Sequence, residues 1–128
     1  MTNIPAELAY TEEHEWVEDL HEDNTFRVGI TDHAQNELGE VVFVQLPEVG
    51  DTVSAGDVVG EVESTKSVSD LFAPVSGEIV SVNDDLVDNP GALNESPYGS
   101  GWLFTVRVDS SDATGQLLDA DAYQQLLD

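Results

Sequence analysis

Alternation of apolar and polar positions organises most of this chain. Phe26, Val28 and Ile30 alternate with Arg27, Gly29 and Thr31, which predicts a strand with one buried face. Residues 40–46 are more continuously apolar and read as a strand covered on both faces. Further strands are predicted over 58–63, 79–82 and 102–108, with Gly and Pro in the gaps between them. Helical spacing is confined to two places. Residues 32–38 have Thr31 or Asp32 as a cap and Gly39 as a stop signal. Leu117, Leu118, Tyr123, Leu126 and Leu127 recur at helical intervals near the C-terminus, with Asp112 or Asp119 as the start. The expectation is one β-rich domain over residues 1–128, all-β or α+β, with a short internal helix and a helical C-terminus. At 128 residues it can bury a core.

Two similar units flank residue 66. Gly56 lies ten residues before it and Gly77 eleven after, each beside an acid and an apolar pair. This places Lys66 near the tip of a hairpin spanning about 58–82, exposed and away from packing.

Composition sharpens the interest of that lysine. The chain carries 27 acidic residues against three basic ones, Arg27, Lys66 and Arg107, for a net charge of -24. A lysine kept in so acidic a chain asks for a chemical reason. The charge opposes binding to nucleic acid and to anionic membranes. It also implies self-repulsion, tolerable where salt shortens the Debye length, so a salt-loaded cytoplasm is the simplest account. The acids are dispersed, and hydrophobic residues make up 40% of the chain, which describes a folded domain with a solvated surface. There is no cysteine, so disulfides, thiol catalysis and thiolate metal sites are excluded. No leader pattern or membrane-length apolar run is visible, and a cytoplasmic location is expected. Asn94-Glu95-Ser96 matches a glycosylation acceptor that would then stay idle.

Most catalytic motifs fail on inspection. Gly60 followed by Thr65-Lys66-Ser67 approaches a phosphate-binding loop, but the second glycine is missing and Pro74 arrives too soon for the helix. Asp84 to Pro90 puts Leu86 where a calcium loop needs a ligand, so it reads as a solvated loop. His14, His21 and His33 lack metal-ligand spacing, and no Gly-x-Ser-x-Gly elbow occurs. Catalytic lysines need burial or a neighbouring cation, whereas Lys66 is flanked by Glu63 and Asp70. Covalent attachment of a carried group suits an exposed lysine better. Spacing alone does not say which group.

The segment Gly60-Glu61-Val62-Glu63-Ser64-Thr65-Lys66-Ser67, followed by Ala73-Pro74-Val75-Ser76-Gly77-Glu78-Ile79, resembles the lipoyl-attachment hairpin of the glycine cleavage system H protein family. So do Tyr10 to Trp16, Gly29 to Gln35, Leu38 to Val44, Asn94 to Trp102 and Asp119 to Tyr123, in order over roughly 8–127. The lipoyl domains of 2-oxo acid dehydrogenase complexes usually place Asp before the lysine, and biotin carriers place Met on both sides. Thr65 and Ser67 match neither. A carrier of the 2-oxo acid dehydrogenase type and an unmodified acidic interaction module are the alternatives.

The resemblance implies a hybrid barrel-sandwich with the carrier hairpin at one end, and lipoate amide-linked to Lys66. It implies a shuttle without its own active site. The arm takes an aminomethyl group from the glycine decarboxylase P protein to the tetrahydrofolate-dependent aminomethyltransferase T protein, and dihydrolipoamide dehydrogenase, the L protein, reoxidises it. A lipoate-attaching enzyme is a further partner, and a monomer is expected. By the same resemblance Glu15 and Asp70 occupy cleft positions that hold the cationic end of the loaded arm, with His33 lining the cleft. Glu13 stands where relatives often have a small hydroxyl residue. Among 27 acids, Glu15 and Asp70 could equally be ordinary surface carboxylates.

Overall fold

A computed structural model describes residues 4–20, 22–108 and 117–127. Its core lies between two antiparallel sheets. The six-stranded sheet has the order β1-β2-β3-β9-β8-β5. Its members are β1 (Ala9–Tyr10), β2 (Glu15–Asp19), β3 (Thr25–Ile30), β5 (Thr52–Val53), β8 (Gly77–Val82) and β9 (Phe104–Arg107). The three-stranded sheet, β4-β6-β7, is built from β4 (Val41–Gln45), β6 (Val58–Ser64) and β7 (Val68–Phe72). This is the barrel-sandwich arrangement expected of the chain.

The period-2 reading of β3 holds: Phe26, Val28 and Ile30 are all at most 4% exposed and pack with Val17, Val62, Ile79 and Phe104 in the main core. Residues 102–103 precede β9 rather than belonging to it. Expected two-sided burial of β4 is not found. Val42 and Phe43 are 50% and 43% exposed, because the register breaks between Val41 and Phe43 and turns both outward. Continuous apolarity here reflects a bulge, not a second covering layer.

The helices follow their punctuation. Helix α1 (Asp32–Leu38) starts at Thr31, whose side chain accepts from the Ala34 N–H, and ends at Gly39 with φ 81°. Helix α4 (Ala120–Leu127) begins after Asp119, whose Oδ1 accepts from the Ala122 N–H at 2.8 Å. Leu117 and Leu118 lie before it, and Leu118 instead bridges to Tyr10 as an extra strand contact. Asp112 and His21 lie outside the described residues. Two short helices were not expected: α2 (Asp85–Asp88) and α3 (Ala92–Glu95). Asp84 to Pro90 is thus no solvated loop. Its acids face outward while Leu86, fully buried, ties α2 to the core.

A second, aromatic cluster joins β1, β2 and α4. Tyr10 and Tyr123 stack at 4.8 Å, and the Trp16 indole donates to the Pro97 carbonyl at 2.9 Å. It places the C-terminal helix behind the loop that leads into β2.

Candidate functional site

The turn between β6 and β7 presents Lys66. Strand β6 pairs with β7 through Glu61↔Asp70, Val62↔Ser69 and Glu63↔Val68, while β8 belongs to the other sheet. The hairpin is therefore 58–72, not 58–82; the symmetry that suggested the longer span relates strands of different sheets. Ser64 organises the turn. Its Oγ accepts from the Lys66 N–H at 3.2 Å and the Ser67 N–H at 3.1 Å, and donates to the Ser67 carbonyl at 3.2 Å. The Ser64 N–H also donates to the Ser67 carbonyl, at 2.8 Å. Lys66 itself is exposed. Its stem lies along Gly39, where a Cβ would sit 3.5 Å from Cγ and Cδ. The left-handed φ of Gly39 and this close approach both favour glycine there.

Beside the turn a cleft of about 400 Å³ opens between the two sheets. Glu13, Glu15, His33 and Asp70 all line it, together with Ser67 next to the lysine. Ile30, Leu38, Val62 and Leu71 supply its apolar walls.

Glu15 is no surface carboxylate. It is 2% exposed, the first residue of β2, and its Oε2 accepts from the Phe72 N–H on β7 at 2.7 Å. The side chain thereby links the two sheets. Oε1 is buried without a hydrogen-bond partner among the described residues. Burial pushes the carboxyl up to about 8; the Phe72 N–H opposes this and the nearby Glu13 charge adds to it. Near neutral pH it is mostly the neutral acid. Asp70 and Glu13 are exposed at the rim.

His14 and Glu37 also line the cleft, although neither stands out in the sequence as a site candidate. A three-residue loop joins Thr11 to Glu15, and His14 closes it in the left-handed region at φ 68°. Its Nδ1 meets the Tyr123 hydroxyl at 2.8 Å, and its ring lies 4.7 Å from that of His33. Burial lowers its pKa, the His33 neighbour lowers it further, and Glu37 opposes both. The Tyr123 hydroxyl also meets Thr31 Oγ1 at 2.8 Å, so α4 braces both the cleft loop and the start of α1. The only hint in the sequence was the place of His14 between Glu13 and Glu15. His33 lies 3.8 Å from Glu37 one helical turn on.

Chemically, the site offers one exposed amine at a rigid apex and a narrow cleft beside it. The cleft combines apolar walls with four acidic side chains, Glu13, Glu15, Glu37 and Asp70, suited to a hydrocarbon arm with a cationic tip. Among the described residues no cluster could hold a metal ion, and no helix is long and apolar enough to cross a membrane.

A family model of the glycine cleavage H-protein matches residues 8–128. The chain is 85% identical over 128 residues to a glycine cleavage system H protein of Kocuria rhizophila, covering all of both chains. It is 56% identical over 133 residues to that of Mycobacterium tuberculosis, covering 99% of this chain and 98% of the relative. The crystal structure of a glycine cleavage system H protein from Mycobacterium marinum matches with a TM-score of 0.87 at 52% identity, over 95% of this chain and 97% of that one.

Proposed function

The chain belongs to the glycine cleavage H-protein family, the lipoyl-carrying shuttle of glycine cleavage, and we propose that Lys66 bears the lipoyl group while the adjoining cleft shelters the loaded arm. Membership sets aside the 2-oxo acid dehydrogenase alternative. One observation carries the residue assignment: the sole lysine stands exposed on a turn ordered by Ser64, beside the cleft lined by Glu13, Glu15, Glu37 and Asp70.

When attached, lipoate supplies a dithiol–disulfide pair that accepts a one-carbon amine fragment from glycine. The chain's own part is to place, hold and shield. Amide formation at Lys66 removes its charge, and the Ser64 turn keeps the point of attachment fixed. Ile30, Leu38, Val62 and Leu71 can cover the hydrocarbon of an arm folded into the cleft. Glu15 Oε1 is an acceptor without a partner among the described residues, and an entering ammonium group favours the carboxylate form that burial otherwise opposes. Asp70, Glu13 and His33 add to the polar lining. Excluding water there slows hydrolysis of the carried fragment.

The partners that follow are the P, T and L proteins and the lipoate-attaching enzyme. Intact-mass and peptide mass spectrometry of protein from its native host tests the assignment. The expected result is a single lipoyl adduct on the peptide containing Lys66. Only unmodified or biotinylated Lys66 would refute it.

A further inference from the structure

Asn94, in the Asn94-Glu95-Ser96 segment, hydrogen-bonds the backbone on both sides of Glu40. We propose that Asn94 is a positioning residue for acyl attachment at Lys66, because it clamps the backbone shelf from which the Lys66 turn hangs.

The shelf is residues 39–41, between α1 and β4. Asn94 Nδ2 donates to the Gly39 carbonyl at 2.8 Å and to Gln35 Oε1 at 3.1 Å, while its Oδ1 accepts from the Val41 N–H at 2.9 Å. The Glu40 carbonyl, held between those two anchor points, accepts from the Thr65 N–H at 3.0 Å. Gly39 in turn abuts the Lys66 stem. A continuous path therefore runs from Asn94 through 39–41 to Thr65 and Lys66, although Asn94 touches neither residue of the turn. The strand ladder contributes one pair here, Val41↔Ser64, and the register shifts immediately after it; the Val41 N–H is given to Asn94, which holds the side of the shelf away from β6. Asn94 itself stands on a firm base, since the neighbouring Leu93 is fully buried in the core.

This inference rests on the reading of Lys66 as the lipoylated residue. In attachment from a lipoyl-adenylate, the Lys66 Nζ–acyl carbon bond forms, the acyl–phosphate bond breaks and adenylate leaves. The ammonium gives up two protons, one before attack and one after. Near-attack geometry is sensitive to displacements of about 1 Å. Loosening the shelf should misplace Nζ while leaving the rest of the docking surface unchanged, so the loss belongs in kcat.

The test is steady-state lipoylation of the full-length apo protein by a lipoate-attaching enzyme with lipoate and ATP, read by intact mass. Asn94→Asp keeps the acceptor for Val41 but sets a carboxylate oxygen against the Gly39 carbonyl. Asn83→Asp is the matched control: Asn83 Nδ2 clamps the Ser100 and Trp102 carbonyls at 2.8 and 2.7 Å, and its bonds reach neither the turn nor 39–41. Asn94→Asp should lower kcat at least about tenfold with KM nearly unchanged, and should speed hydrogen exchange of the Thr65 amide. Asn83→Asp should do neither. Gln35→Ala, a milder cut at the same clamp, should lower kcat less. Equal losses in both Asp variants, an effect confined to KM, or full kcat in Gln35→Ala alongside a misfolded Asn94→Asp would overturn the proposal. Failure of the unaltered chain to take lipoate would overturn the Lys66 reading and this inference with it.

Discussion

Replacing Glu15 by Gln removes a buried titratable group while keeping its shape and its acceptor for the Phe72 N–H. The folded-state pKa of Glu15 is raised from 4.5 to about 8, mainly by burial. Between those values the folded state holds a proton that the unfolded chain has released, so stability falls as pH rises through this window. From about pH 5.5 to about pH 8.5 the difference integrates to about 3 kcal/mol, or roughly 10 °C in Tm for a domain of this size. The rest of the cleft is common to both proteins and largely cancels in the difference. The assay is thermal unfolding of parent and Glu15→Gln across that range at constant ionic strength. The two should melt alike at the acid end, and the variant should melt higher at the alkaline end. Parallel curves would show that Glu15 is already ionised in the fold, and the account of the cleft given above would fail.

Three other outcomes follow from the same geometry. With both Glu15→Gln and Asp70→Asn in place, the aminomethylated carrier should hydrolyse faster while lipoylation proceeds nearly unchanged; equal lifetimes, measured by mass spectrometry over time, would deny these acids a role in holding the arm. Gly60→Ala should cost about 1–3 kcal/mol in denaturant unfolding, because the added Cβ would lie 2.2 Å from the Gln45 carbonyl oxygen of the adjacent strand; an unchanged midpoint would contradict that packing. The charge of -24 should lower Tm in dilute buffer and let it recover in molar salt, as screening shortens from about 30 Å at 0.01 M to about 3 Å at 1 M; a flat salt curve would remove adaptation to high salt as the reason for the acid excess.

Local rules made several features legible in the residues alone. Alternation at Phe26, Val28 and Ile30 gave β3 its buried face, and Thr31 and Gly39 bounded α1 because capping and left-handed backbone are matters of neighbouring residues. The lone lysine of the chain, set between two strand-forming stretches, pointed to an exposed turn for the same reason. Pairing is not local. Which strand joins β6, and that β8 lies in the other sheet, depends on closing a core between two sheets, so internal symmetry suggested too long a hairpin. Burial is not local either. Glu15 looks like any of 27 acids until β2 and β7 converge on it, and only that convergence desolvates the carboxyl and raises its pKa. Asn94 and Tyr123 gain their places at the site in the same way, through contacts spanning 53 and 109 positions of chain. Residue type supplied the chemistry available here; long-range packing set which groups meet and which of them lose water.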